Sequence, residues 1–162
     1  MATVTFDAVG PAGGAGFNWA TANTTGWAHV NSAASNAIVV TITYFSTTSS
    51  DVTAVTYGGV ALARIGQRAS GGAGPGGVDF WGKAGGLPTG SNQVAVTNSR
   101  AESHNGGSVS YASALAFGTA VSADSASASV TTLASPSVGF ESAPDAPKSP
   151  DCDRSKRQQR HQ

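Results

Sequence analysis

Apolar and polar residues alternate in short runs along most of this chain, and glycine-rich turns separate the runs where helical spacing would otherwise be needed. The clearest run is 37–47, with Ile38, Val40, Ile42 and Tyr44 on one face and Val39, Thr41, Thr43 and Phe45 on the other. Its β-branched residues and period of two predict a strand, and apolar residues on both faces predict a central one, covered on both sides for part of its length. A first strand is expected over 2–9, broken by Pro11–Gly16, and a short one near Trp27–Val30 within a half-ordered segment. The runs 52–57 and 60–65 flank Gly58-Gly59, a pair able to take positive φ at both central positions, which predicts a hairpin. Arg68–Gly77 reads as a loop tip, 78–83 and 92–99 as strands, and Asn105-Gly106-Gly107 as a turn into a strand over 108–115. A weaker alternation follows over 125–133. Short strands at this spacing predict an all-β antiparallel sandwich, jelly-roll-like, with no fixed-period repeat.

Composition sharpens this reading mainly by exclusion. The 162 residues suffice for one domain with a real core. Residues 1–140 hold five acids (Asp7, Asp51, Asp79, Glu102, Asp124) and four bases (Arg64, Arg68, Lys83, Arg100), a net of −1. With no basic patch in that body, nucleic acid is not an expected partner. No run approaches the roughly 18 apolar residues of a membrane helix, so no membrane span is expected. The N-terminus MATVTFDAVG shows neither a basic region nor an apolar stretch of the secretory kind. Cys152 is the only cysteine, which excludes an internal disulfide and a thiolate cluster.

Candidate chemistry is sparse. In the body of the chain, ahead of the tail, His29, His104 and Asp51 are the only triad or metal material besides scattered acids, and none stands in ligand spacing. Trp27 and His29, two apart on a strand, are read as a packed structural pair, and His104 in SHNGG as a solvated turn residue. Gly10–Gly16 and Gly71–Gly77 resemble phosphate loops but lack the following helix N-terminus that such a loop needs. No catalytic, metal or cofactor residue is therefore expected. Trp19, Trp27, Trp81 and Tyr57 are candidates for a glycan or partner contact, weighed against plain core packing.

The segments Trp27-Ala28-His29, 38–44, VTYGGVALARIG (55–66), VDFWGKAGGLPTGSNQVAVTNS (78–99) and GGSVSYASALAFGTAV (106–121) together resemble a β-sandwich domain of tailed-phage virion proteins and bacterial surface proteins. The resemblance spans about 3–133 and rests on turns and core positions, so it implies a fold and no transferable catalytic residue. It divides the chain into a sandwich over 1–134 and a Pro-rich, charged tail over 135–162, which holds four of the seven prolines, Cys152 and half the charges. That break has two readings: a natural disordered tail, or a change of reading frame near residue 135. Relatives continue with strands that complete the second sheet, so the sandwich is expected to lack strands and to pair its open edge with another copy. The resemblance implies a non-enzymatic virion protein, a capsid decoration, minor capsid or tail appendage module. It would be assembled in the host cytoplasm and partnered by other virion subunits and by its own copies. A carbohydrate-binding or adhesion module is the alternative.

Overall fold

The computed structural model describes residues 3–14, 16–19, 23–45, 50–69, 76–118 and 140–141. These form twelve strands and no helix: β1 Thr5–Gly10, β2 Phe17–Trp19, β3 Thr24–Asn31, β4 Ser35–Tyr44, β5 Val52–Tyr57, β6 Val60–Ala61, β7 Ala63–Ala69, β8 Gly77–Ala84, β9 Gly90–Asn98, β10 His104–Ala112, β11 Ala116–Phe117 and β12 Phe140–Glu141. Every pairing is antiparallel. A six-stranded sheet runs β1-β10-β4-β8-β7, with β2 also on β10, and a four-stranded sheet runs β3-β9-β5-β6. β11 pairs with β12 separately.

The order reveals one long ribbon rolled on itself. β1 pairs with β10, β3 with β9, β4 with β8 and β5 with β6, so partners nest inward from both ends. The tip of the ribbon is the hairpin at Gly58 (φ 54°) and Gly59 (φ 80°), the two positive φ values of a type I′ turn. Two sheets built from nested pairs in this order are a jelly roll. All eight nested strands lie before Ser113, so the sandwich is complete there, and the expectation of missing strands is overturned. The alternation over 125–133 lies outside the described residues, whereas β12 falls within the segment read as tail.

The strand at 37–44 sits between β10 and β8, as its pattern predicts. Ile38, Val40, Ile42 and Tyr44 are buried, while Thr43 and Phe45 face solvent. Its outer face is partly covered: an added Cβ at Gly82, the register partner of Val39, would come within 2.9 Å of the Phe117 ring. The core lies between the sheets, with Trp27, Val55, Tyr57, Val94 and Val96 from the four-stranded side. Two glycines of the six-stranded sheet make room for it. A Cβ on Gly106 would stand 2.6 Å from the Trp27 ring, and one on Gly10 would stand 2.6 Å from the His29 Nδ1.

Two local readings fail for identifiable reasons. Asn105-Gly106-Gly107 is not a turn but the start of β10, paired with Thr43, Ile42 and Thr41 of β4. These glycines provide space inside a strand, not a reversal. The run 60–65 is not one strand either. It leaves the four-stranded sheet at Leu62, which is buried and donates its N–H to Val55 O at 2.9 Å, and enters the six-stranded sheet as β7.

Candidate functional site

The polar residues that the sequence leaves scattered converge in the interior. On β3, Trp27 and His29 point inward, and β10 answers with Ser108 and Ser110. Trp27 Nε1 donates to Ser108 Oγ at 2.9 Å. The His29 Nδ1 lies 2.9 Å from Ser108 Oγ, and its Nε2 lies 2.9 Å from Ser110 Oγ. Ser110 Oγ donates to Asp7 Oδ2 at 2.8 Å. One hydrogen per hydroxyl then fixes the directions. Because Ser110 spends its hydrogen on Asp7, Nε2 carries the imidazole proton, and Ser108 donates to the bare Nδ1. The relay therefore runs Trp27, Ser108, His29, Ser110, Asp7, with every member satisfied. Gly10 O, 3.2 Å from Ser108 Oγ, gives that hydroxyl a second acceptor if Nδ1 becomes protonated.

Burial pushes the His29 imidazole below its ordinary value, against the pull of the Asp7 charge. For Asp7, burial acts upward but hydrogen bonds from Ser32 and Ser110 outweigh it and hold the carboxyl below its usual range. Tyr57 closes the site from beside, its ring edge-on to His29 at 5.7 Å and its hydroxyl donating to Asn31 Oδ1 at 3.0 Å.

Serine, histidine and aspartate in contact resemble a hydrolase triad, but the geometry serves another purpose. Both imidazole nitrogens are taken by serines, and the acid sits on a serine instead of orienting the histidine. Ser108 is 3% and Ser110 0% exposed, so neither hydroxyl can meet a substrate carbonyl. The relay pins the first and tenth strands of one sheet to the third strand of the other.

A second polar group occupies the other end of the six-stranded sheet's inner face. Asp79 is fully buried, accepts from Ser50 Oγ, and lies 3.5 Å from Arg64, whose guanidinium covers the Trp81 ring at 4.7 Å. Burial raises the Asp79 carboxyl, with Ser50 and Arg64 opposing. His104 is buried, not solvated as SHNGG suggested, and stacks on Trp19 with centroids 4.9 Å apart. Arg100 bridges Asp51 at 3.0 Å and Glu102 at 2.8 Å. Among the described residues no three His, Cys, Asp or Glu side chains are grouped to hold a metal ion, and no helix is long and apolar enough to cross a membrane.

The four aromatic candidates are interior. Trp19 is 8%, Trp27 4%, Trp81 7% and Tyr57 0% exposed, so they form no platform on which a sugar could stack. The Trp27–His29 pairing is legible from spacing, whereas the roles of Asp7, Ser108 and Ser110 emerge only from the fold. Their available signal was Gly106, Ser108 and Ser110 at a period of two, a polar stripe on a strand with Val109 and Tyr111 on its other face.

A concavity marks the surface formed by the described residues. It is an open groove of about 350 Å³ on the outer face of the six-stranded sheet, between β4 and the turn after β1. Thr41, Thr43 and Asn105 form one side, Val9 and Gly14 the other, and Gly107 lies in its lining between them. No family model, no curated protein and no solved structure matches the chain.

Proposed function

We propose that this chain is a non-enzymatic structural subunit of a tailed-phage virion, a capsid decoration, minor capsid or tail appendage protein that works through flat subunit contacts. The observation that carries the reading is the outer face of the four-stranded sheet. Its outward positions include Ala28 and Val30 on β3, Gln93 and Ala95 on β9, and Ala54 and Thr56 on β5, with no ionisable side chain in the four strands outside the core. Soluble domains ordinarily carry about 25–35% charged residues on their surface. A charge-free face of mostly small residues is cheap to desolvate and can approach another surface closely. The jelly roll, shared by viral coat and lectin domains, agrees with the resemblance carried by the turn and core residues. Among the described residues His29, Ser108, Ser110, Asp79 and His104 are buried, which agrees with a role exerted by surfaces.

The test places a charge on the face without touching the core. Ala95→Glu should leave thermal unfolding unchanged within about 0.5 kcal/mol, as expected of a surface site. Sedimentation velocity should show the wild type associating with itself or with particles stripped of it, and the variant failing to do so. A wild type that stays monomeric and ignores such particles would refute the reading.

A further inference from the structure

The geometry points to the groove on the six-stranded sheet as a binding site for a neutral saccharide. Gly107 is the residue that requires an explanation. Glycine inside a strand is unfavourable, and here neither backbone nor packing demands it. Its φ is not left-handed, and an added Cβ would meet only Gly10 O at 3.7 Å, an ordinary contact. Gly106, one residue earlier, is by contrast forced by the Trp27 ring at 2.6 Å. Gly107 faces outward beside its partner Thr41, so what its missing side chain preserves is the depth of the groove.

The lining states what would fill it. Among the described residues no ionisable side chain lines it, so a phosphate, carboxylate or ammonium group would be desolvated there without compensation. Thr41 and Thr43 present hydroxyls at successive outward positions of β4, and Asn105, the register partner of Thr43, adds an amide. Thr43 Oγ1 donates to Asn105 O at 3.3 Å and Asn105 Nδ2 donates to Asn18 Oδ1, so Thr43 offers its lone pairs and Asn105 a second N–H and its carbonyl. With the Thr41 hydroxyl they present both donors and acceptors to vicinal hydroxyls. Val9 and Val109, paired across β1 and β10, give an apolar wall suited to the C–H face of a pyranose. Two exposed aromatic rings neighbour this array: Phe80, 38% exposed, is the partner of Thr41 on β8, and Phe45, 63% exposed, takes the next outward position after Thr43. Exposed rings beside hydroxyl and amide groups are the arrangement that the buried tryptophans do not provide. About 350 Å³ has room for one or two sugar rings. The site lies on the face opposite the proposed subunit contact and does not depend on it.

The experiment is an amide chemical-shift titration of the isotope-labelled full chain with the methyl glycosides of glucose, galactose, mannose and N-acetylglucosamine, and with glucuronate as an acidic control. At least one neutral glycoside should move the Thr41, Thr43, Asn105 and Gly107 amides with a Kd of order 1 mM, and glucuronate should bind at least about tenfold more weakly. Gly107→Val, which fills the groove, and Thr41→Val, which removes one hydroxyl, should each weaken binding about tenfold with unfolding unchanged. The proposal is overturned if no neutral glycoside moves these amides at about 50 mM, or if both variants bind as the wild type does. It is equally overturned if those amides shift with protein concentration alone, which would give the groove to a second copy.

Discussion

At the scale of the residue, His29 shows how a buried base makes stability depend on pH. Burial depresses its folded pKa below the unfolded 6.5, so the unfolded chain takes up this proton first as pH falls. Stability from this group is complete above 6.5 and declines as pH drops from there toward the folded value. Asp7 acts lower, because its stabilising contribution holds above its ordinary 3.8 and is lost as pH falls through its depressed folded value. Urea unfolding midpoints should thus fall between about pH 7.5 and 5.5, and His29→Gln should be less stable but flatter across that window. Equal slopes in the two proteins would assign the titration to another group. Adjacent glycines supply a second contrast. Gly106→Ala must displace the Trp27 ring and should cost about 1–3 kcal/mol. Gly107→Ala meets nothing closer than 3.7 Å and should be neutral or stabilising by up to about 1 kcal/mol in the same unfolding assay.

At the scale of the element, legibility depended on which residues a strand turns inward. β4 was plain because its buried face is Ile38, Val40 and Ile42. β10 was misread at its start because its inward residues are His104, Gly106, Ser108 and Ser110, while Val109 and Tyr111 look outward. Apolar alternation there marks the wrong face, since aromatic rings from β3 and β2 supply the hydrophobic volume that β10 lacks. The switch at Leu62 was invisible because a chain changing sheets keeps its period of two. The candidate site was half legible: spacing joined Trp27 to His29, but the serines that satisfy them come from a strand far along the chain. The outer strands of the six-stranded sheet, β1 and β7, each carry a register shift, at Phe6/Ala8 and Arg64/Gly66. Bulges at these two edges discourage strand-to-strand addition there, whereas β3, an edge of the four-stranded sheet, runs without a register shift. Arg64 stabilises one of these edges by reaching inward to Asp79 and over Trp81. Arg64→Met should leave the Asp79 carboxyl without its cation and raise its pKa further, which direct NMR titration of that carboxyl would read. An unchanged value would show that burial and the remaining neighbours, Ser50 first among them, set it without the cation.

At the scale of the molecule, nesting makes the first strand wait for the last. Val9 finds its partner only at Val109, and Thr24 only at Thr97, so loop closure precedes most of the stabilising contacts. Folding of such non-local β topologies runs on the order of milliseconds to seconds, and this chain should refold as one slow cooperative unit. The same nesting determines where the chain can be cut. All pairing of both sheets is complete by Ala112, and among the described residues beyond it the Phe117 ring lies over Gly82 on the outer side. A chain ending at Gly118 should therefore retain a cooperative unfolding transition and its far-ultraviolet β spectrum. It gives up the β11–β12 pair and so should lose no more than about 1–2 kcal/mol. A chain ending at Gly107 forfeits Ser108 and Ser110, strips β1 of its partner and leaves His29 buried without hydrogen bonds, so it should not fold at all. Measured side by side by circular dichroism and urea titration, the two truncations separate a sandwich finished at its tenth strand from one that needs the residues after Gly118. Collapse of the longer one would restore the view that those residues are required.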